Sequence, residues 1–313
     1  MHSHSNITTS GTQPHGSHHP AGDASGRLAL TVLLNGLITL VQIVGGILSN
    51  SLALISDAIH NLSDTLALAL AWIANRVGKR KPDIRKTFGY QRFEILSAFI
   101  NASVLTAVSI YLIYEATLRF LHPEPVQSML MLIIAVIGLM ANLVSMLFLH
   151  RDSHHSLNVR AAYVHLLGDT LSSVAVIAGA LLIRYTGFTW IDPALTLLIS
   201  IVIIRQAWHI LKESTDILMQ GVPSHLNLEE MKMLLEQHPE ICNIHHVHCW
   251  QLSDRQIHFE AHVETRRNMT LTESAVVRDQ IETMLAEKFN VIHTTLQLEY
   301  QNCTDQEMIR VRK

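Results

Sequence analysis

Leu28–Leu48 reads LALTVLLNGLITLVQIVGGIL, twenty-one residues without a single charge. An α-helix needs about twenty mainly apolar residues to cross the hydrocarbon core of a bilayer, and this run meets that length. Working outward, Val126–Leu149 is also uncharged. Phe93–Leu118 carries Glu94 and Glu115 only near its ends, and Pro193–Leu211 carries Arg205 and His209 near one end. Two more segments, Ser51–Asn75 and Leu157–Ile183, have the right length but hold ionisable residues in their middles. Six spans is the natural count, with the lipid bilayer as solvent. Composition agrees: 49% of the 313 residues are hydrophobic and 16% are charged, against about 25% charged in a soluble domain. The formal net charge of −3 offers no basic surface suited to nucleic acid.

The short connections separate by charge. Between the second and third spans lie Arg76, Lys79, Arg80, Lys81, Arg85, Lys86 and Arg92, whereas Gly45–Ser51 has no charge and Phe120–Gln127 has only Glu124. The positive-inside rule puts the basic loop in the cytoplasm. An even number of spans then predicts that both termini are cytoplasmic, and the short loops and lack of targeting signals suit a bacterial inner membrane. Residues 1–26 are polar and lack the apolar core of a signal peptide. They read as a disordered tail whose His2, His4, His15, His18 and His19 can catch metal ions loosely.

Residues 27–214 thus form the expected six-helix transmembrane domain, and Gly221-Val222-Pro223 marks a change of character. Asn227 can cap a helix carrying Leu228, Met231, Leu234 and Leu235 on one face. Ile241–Leu252 and Gln256–Thr265 read as strands around a Ser253-Asp254-Arg255 turn. Thr270–Phe289 has helical periodicity and Thr294–Tyr300 alternates again. The order α-β-β-α-β over residues 215–302 predicts a small α+β domain of two helices over a three-stranded sheet, with 303–313 as a terminal tail. So small a core gains from oligomerisation. Cys242, Cys249 and Cys303 show no CxxC spacing and suit a reducing compartment.

The decisive pattern is a repetition inside the membrane. His60-Asn61-Leu62-Ser63-Asp64-Thr65-Leu66 in the second span and His165-Leu166-Leu167-Gly168-Asp169-Thr170-Leu171 in the fifth agree at five of seven positions. In each copy His and Asp stand at i and i+4, on one helix face. An Asp at mid-bilayer costs about 2.5–3.5 kcal/mol, and no Lys or Arg lies mid-span to neutralise it; Arg160 and Arg205 lie nearer the ends. A divalent cation is the missing partner: two carboxylates balance its charge and two imidazoles complete four ligands. Four N and O ligands suit tetrahedral Zn²⁺, whereas Mg²⁺ and Ca²⁺ prefer all-oxygen shells. Without Cys or Met in the motif, Cu(I) is disfavoured. Ligand type does not separate Zn²⁺ from Cd²⁺, Co²⁺ or Ni²⁺.

Rival readings are weaker. Single polar residues in spans are often hydrogen-bonding glue, which is how Asn35, Asn101 and Asn142 read, but two His-x-x-x-Asp copies exceed that role. Bis-histidine haem ligation would set aspartates beside the haem to no purpose. A zinc hydrolase would want three ligands and a general base, and no HExxH occurs. Asp57, one turn before His60, reads as an outer-shell group, a waypoint for the ion or a helix-start cap.

Five stretches resemble the cation diffusion facilitators, in their zinc-transporting branch: Ser49–Asp64 (SNSLALISDAIHNLSD), Phe88–Asn101 (FGYQRFEILSAFIN), Asn158–Asp169 (NVRAAYVHLLGD), Leu218–Pro223 (LMQGVP) and Thr295–Glu299 (TLQLE). The resemblance implies a homodimeric metal/proton antiporter, not an enzyme, with six spans and a ferredoxin-like cytoplasmic domain. It places the transport site on His60, Asp64, His165 and Asp169. A second site known in some members, in the loop after the second span, is expected to be absent, because Asp83–Tyr90 contains no histidine. His245, His262 and Glu299 match positions of a cytoplasmic metal site, with His293 close by, while Ala275 and Gln297 replace histidines of some members. His154 and His155 can feed ions toward the entrance or simply be solvated.

The expected mechanism is exchange of cytoplasmic Zn²⁺ for protons on one set of ligands, since imidazole and carboxylate must be deprotonated to bind metal. A membrane zinc sensor that binds metal without carrying it is the alternative.

Overall fold

The computed structural model describes residues 21–150, 157–253, 256–301 and 307–309. Within these, side chains are described except at 21–34, 75, 148–150 and 157–166. The tail histidines, His154, His155 and Cys303 lie outside the described residues.

Six helices come first: α1 (Ala21–Ser49), α2 (Leu52–Gly78), α3 (Arg92–Leu121), α4 (Ser128–His150), α5 (Leu157–Thr186) and α6 (Ile191–Leu218). Each falls on the apolar run that predicts it and runs on past its C-terminal end, although α2 starts one residue and α4 two residues later than predicted. The helix α1 starts at Ala21, inside the segment read as a tail, because an established helix propagates at little cost through a few polar residues. Among the described residues, four helices are long and apolar enough to cross a membrane: Arg92–Leu121, Ser128–Leu147, Leu167–Thr186 and Ile191–Leu218.

The helix α2 is the hub, packing on α1, α3, α5 and α6. Lipid supplies no hydrophobic drive between helices, so close contact rests on small residues. Ala53, Ala135 and Ala180 are accordingly buried among Leu54, Met131, Val176 and Ile203, and Ala58, Ala116 and Ser200 are buried as well. The start of α2 is closed from a distance. Asp192 of α6 accepts hydrogen bonds from Ser51 Oγ at 2.5 Å, from Leu52 N at 2.9 Å and from Ala53 N at 3.3 Å. These amides have no partner within their own helix. Arg119 Nη1 stands 4.0 Å from Asp192 and also donates to Asn50 O at 2.7 Å, fastening the left-handed turn residue Asn50 (φ 53°) between α1 and α2.

Beyond α6 come α7 (Leu228–Glu236), β1 (Ile241–Ser253), β2 (Gln256–Thr265), α8 (Leu271–Phe289) and β3 (Val291–Glu299). The sheet order is β1-β2-β3, antiparallel then parallel. Asn227 caps α7 by accepting from Glu229 N and Glu230 N. Thr270 and Glu273 form a reciprocal capping box at α8. Met231 and Leu235 of α7 and Val277, Ile281 and Leu285 of α8 bury against Ile244, Val247, Phe259 and Val263 of the sheet. The strand β3 begins three residues before the predicted one. Residues read as a terminal tail reach the free edge of β1, where Val247 N donates to Met308 O at 2.8 Å.

Candidate metal centre

His60 lies on α2 two turns after the Asp192-capped start, and Asp64 follows one turn later. The α2–α5 contact brings Asp169 against them. His60 Nε2 stands 3.6 Å from Asp64 Oδ2 and 3.6 Å from Asp169 Oδ1. Ligand atoms of all three lie within 4.8 Å of one another, with Asp169 buried and the other two half-buried. Metal–ligand bonds of about 2.0–2.1 Å give a tetrahedral edge of about 3.3 Å. The observed separations are near that edge, so small side-chain shifts suffice to grip a small divalent ion. His165 belongs to α5 one turn before Asp169, but its side chain lies outside the described residues.

Asp57 is buried one turn below His60 and does not cap the helix start, a task Asp192 performs. Its carboxylate accepts from Ser172 Oγ at 2.6 Å and from Gln42 Nε2 at 3.2 Å. Gln42 Oε1 in turn accepts from Asn61 Nδ2 at 3.2 Å. A three-helix polar tier thus backs the cluster, built from α1, α2 and α5. Gly138 of α4 leaves room for the Gln42 carboxamide, where a Cβ would collide. Sequence reasoning missed Gln42, Ser172 and Asp192. The carboxamide in the uncharged run Leu28–Leu48 is the signal that could have found the first. Asn101, read as helix glue, donates to Ser63 Oγ at 3.0 Å across α2–α3.

A second cluster lies in the sheet. A register shift between His245 and His248, with His246 in the left-handed region (φ 53°), makes a β-bulge in β1. Ile244 and His245 are consequently both buried, and His245 stands opposite His262. Glu299 of β3 completes the group: its Oε1 contacts His262 Nδ1 and lies 3.9 Å from His245 Nε2. Burial pushes the His245 imidazole below its ordinary pKa, an effect Glu299 opposes. The neutral ring is the form that binds metal. His246 packs its ring 4.6 Å from that of His262, a neighbour the sequence did not suggest.

His293 is not part of this group. It sits six positions upstream of Glu299 on β3, a span of about 20 Å of strand. There it pairs with His258, ring centroids 4.9 Å apart, beside Trp250 and Phe88. In the α2–α3 loop, Asp83 accepts from the amides of Arg85 and Lys86 at 2.7 and 2.8 Å, which holds its carboxyl below the usual range. Cys242 and Cys249 are free thiols, and burial pushes that of Cys249 up to about 11.

Residues 28–219 match the family profile "Cation efflux transmembrane domain", and residues 223–301 match "Cation efflux protein, cytoplasmic domain". The zinc transporter ZitB of Escherichia coli is 40% identical over 304 residues, covering 96% of this chain and 93% of the relative. The metal cation efflux system protein CzcD of Cupriavidus metallidurans is 40% identical over 289 residues, 92% of this chain and 90% of the relative. A cadmium, cobalt and zinc/H⁺-K⁺ antiporter of Bacillus velezensis is 37% identical over 286 residues, 90% and 91%. With both domains matched, and His60, Asp64 and Asp169 gathered between helices of the first, the chain belongs to the cation efflux, or cation diffusion facilitator, family of integral membrane transporters.

Proposed function

We propose that this protein exports Zn²⁺ in exchange for protons through a site made by His60, Asp64, His165 and Asp169. The observation that carries the reading is the convergence of His60, Asp64 and Asp169 from two facing helices of the membrane domain. Helical spacing adds His165 on the Asp169 face as the fourth ligand. Deprotonated, the four groups hold a divalent cation with its charge balanced; protonated, they release it. Metal and protons therefore compete for one set of atoms, the minimum an antiporter requires. Asp57, held by Gln42 and Ser172 one helical turn before His60, belongs to the outer shell of this site. Zinc is the preferred cargo and Cd²⁺ and Co²⁺ are tolerated, in keeping with the metals for which the relatives are named; Ni²⁺ suits the same ligands.

The four apolar helices together with α1 and α2 make six spans in a bacterial inner membrane, with both termini in the cytoplasm. The matched cytoplasmic domain is of the dimerising zinc-transporter type and points to a homodimer. His245, His262 and Glu299 form a regulatory Zn²⁺ site on its sheet.

Proton-gradient-driven uptake of radioactive Zn²⁺ into inside-out vesicles tests the transport site. Wild-type flux should need the gradient, and Asp169→Ala should abolish it. Equal flux in both proteins would remove the cluster from the transport path; zinc binding without flux in either would mark a sensor.

A further inference from the structure

The α2–α3 loop, the start of α3, the end of α6 and strand β1 enclose a cleft of about 490 Å³. Arg85, Lys86 and Arg92 line it together with Gln91 and Trp250, and among the described residues no carboxylate does. The nearest acid of the loop, Asp83, is engaged with the backbone amides of Arg85 and Lys86. At the cleft wall two polar atoms are buried with no hydrogen-bond partner: the Nε donor of Arg92 and the Oε1 acceptor of Gln91. The cleft also opens on the N-terminus of α3, whose Gln91 cap makes no side-chain hydrogen bond. That end carries the positive pole of the helix dipole, which suits an anion.

Position narrows the ligand. One wall is β1 of the domain matched as cytoplasmic, and the opposite wall is the ends of two membrane-crossing helices. The cleft therefore sits at headgroup depth on the cytoplasmic side, where anionic lipids concentrate near basic pockets. From its floor an exposed apolar row, Leu96, Ile100 and Val104, runs along α3 at i, i+4 and i+8. A soluble anion has no use for such a row, whereas an acyl chain follows it. We propose that this cleft binds the phosphodiester headgroup of an anionic phospholipid, phosphate on Arg92 and Lys86, headgroup hydroxyl on Gln91, acyl chain along α3. A lipid so placed touches both the membrane domain and the cytoplasmic domain.

Full-length protein extracted from vesicles of equal parts phosphatidylcholine and phosphatidylglycerol, and examined by native mass spectrometry, tests this. Wild type should retain phosphatidylglycerol in preference. Lys86→Gln with Arg92→Gln should weaken that preference by about fivefold for each cation removed. Arg85→Gln with Lys86→Gln, both exposed positions where folding is not at stake, should weaken it similarly. Arg76→Gln with Lys79→Gln, in the same loop region but off the cleft, should leave it intact. Equal loss in the cleft and off-cleft pairs would overturn the proposal. So would displacement of the lipid by inorganic phosphate, which would make the site one for a soluble anion.

Discussion

His60 Nε2 approaches Asp169 Oδ1 to 3.6 Å across the α2–α5 contact, although the two residues are 109 positions apart in sequence. The same nitrogen lies equally far from Asp64 on its own helix. One imidazole thus stands between two carboxylates, and anything that neutralises or removes one of them changes the charge offered to a cation.

Asp169→Asn keeps shape and polarity but removes one unit of the charge that balances a divalent ion. Zinc affinity of the purified protein, measured by competition with a chelating dye, should fall by about two orders of magnitude or more, beyond the 10–100-fold typical of outer-shell changes. Asn fits the same space, so thermal unfolding should be nearly unchanged. Unaltered affinity would show that the metal binds elsewhere.

Gln42→Ala removes the donor to Asp57 and the acceptor of Asn61 together. Acting through Asp57, it should lower zinc affinity by roughly 10-fold while leaving Cd²⁺ and Zn²⁺ in the same order. Ser172→Ala, which deletes the shorter bond at 2.6 Å, should do at least as much. Parallel titrations of both variants check this; wild-type affinity in both would reduce the polar tier to packing.

Asp192→Ala strips the partner from Ser51 and from two backbone amides at the start of α2 and leaves Arg119 without its buried neighbour. The loss should be about 3 kcal/mol, in the range for breaking a buried charged network. A lowered thermal midpoint in detergent measures it. Asp192→Asn should lose less, because one side-chain oxygen still accepts.

Burial, then the neighbouring His293 and Arg92, keep His258 below its ordinary pKa near 6.5. The folded state therefore binds fewer protons than the unfolded chain in the window just under that value. Stability is complete above about pH 6.5 and declines as pH falls through the window. Hydrogen exchange of β2 and β3 amides in the full chain, corrected for intrinsic rates, should show weaker protection near pH 5.5 than near pH 7.5. His258→Phe should flatten that dependence; an unchanged profile would assign it to other groups.

Removing metal with a chelator should lower the unfolding temperature of the cytoplasmic domain, since a ligand at 100 times its Kd adds about 2.7 kcal/mol. His262→Ala should abolish the difference, as it removes the ring between His245 and Glu299. His293→Ala should preserve it, because His293 belongs to the His258 pair instead.

The apolar runs, the basic loop and the repeated His-x-x-x-Asp motif were all readable from residue order, because each is local: a span is a length, and i, i+4 is one helix face. The strands and the Asn227 cap of the C-terminal domain were legible for the same reason, lying where the period-2 alternation runs and the helix begins. Tertiary packing alone decided which faces meet. It brought Gln42 of α1 to Asp57, set Asp192 on amides 139 and 140 positions away, and spent no ligand role on either. In the sheet, the bulge at His246 broke the alternation that sequence assumes, turning His245 toward His262 and Glu299 while register carried His293 to the far end. Periodicity fixes the direction of a side chain relative to its own element; the partner it meets depends on how two elements dock, and no short-range pattern encodes that.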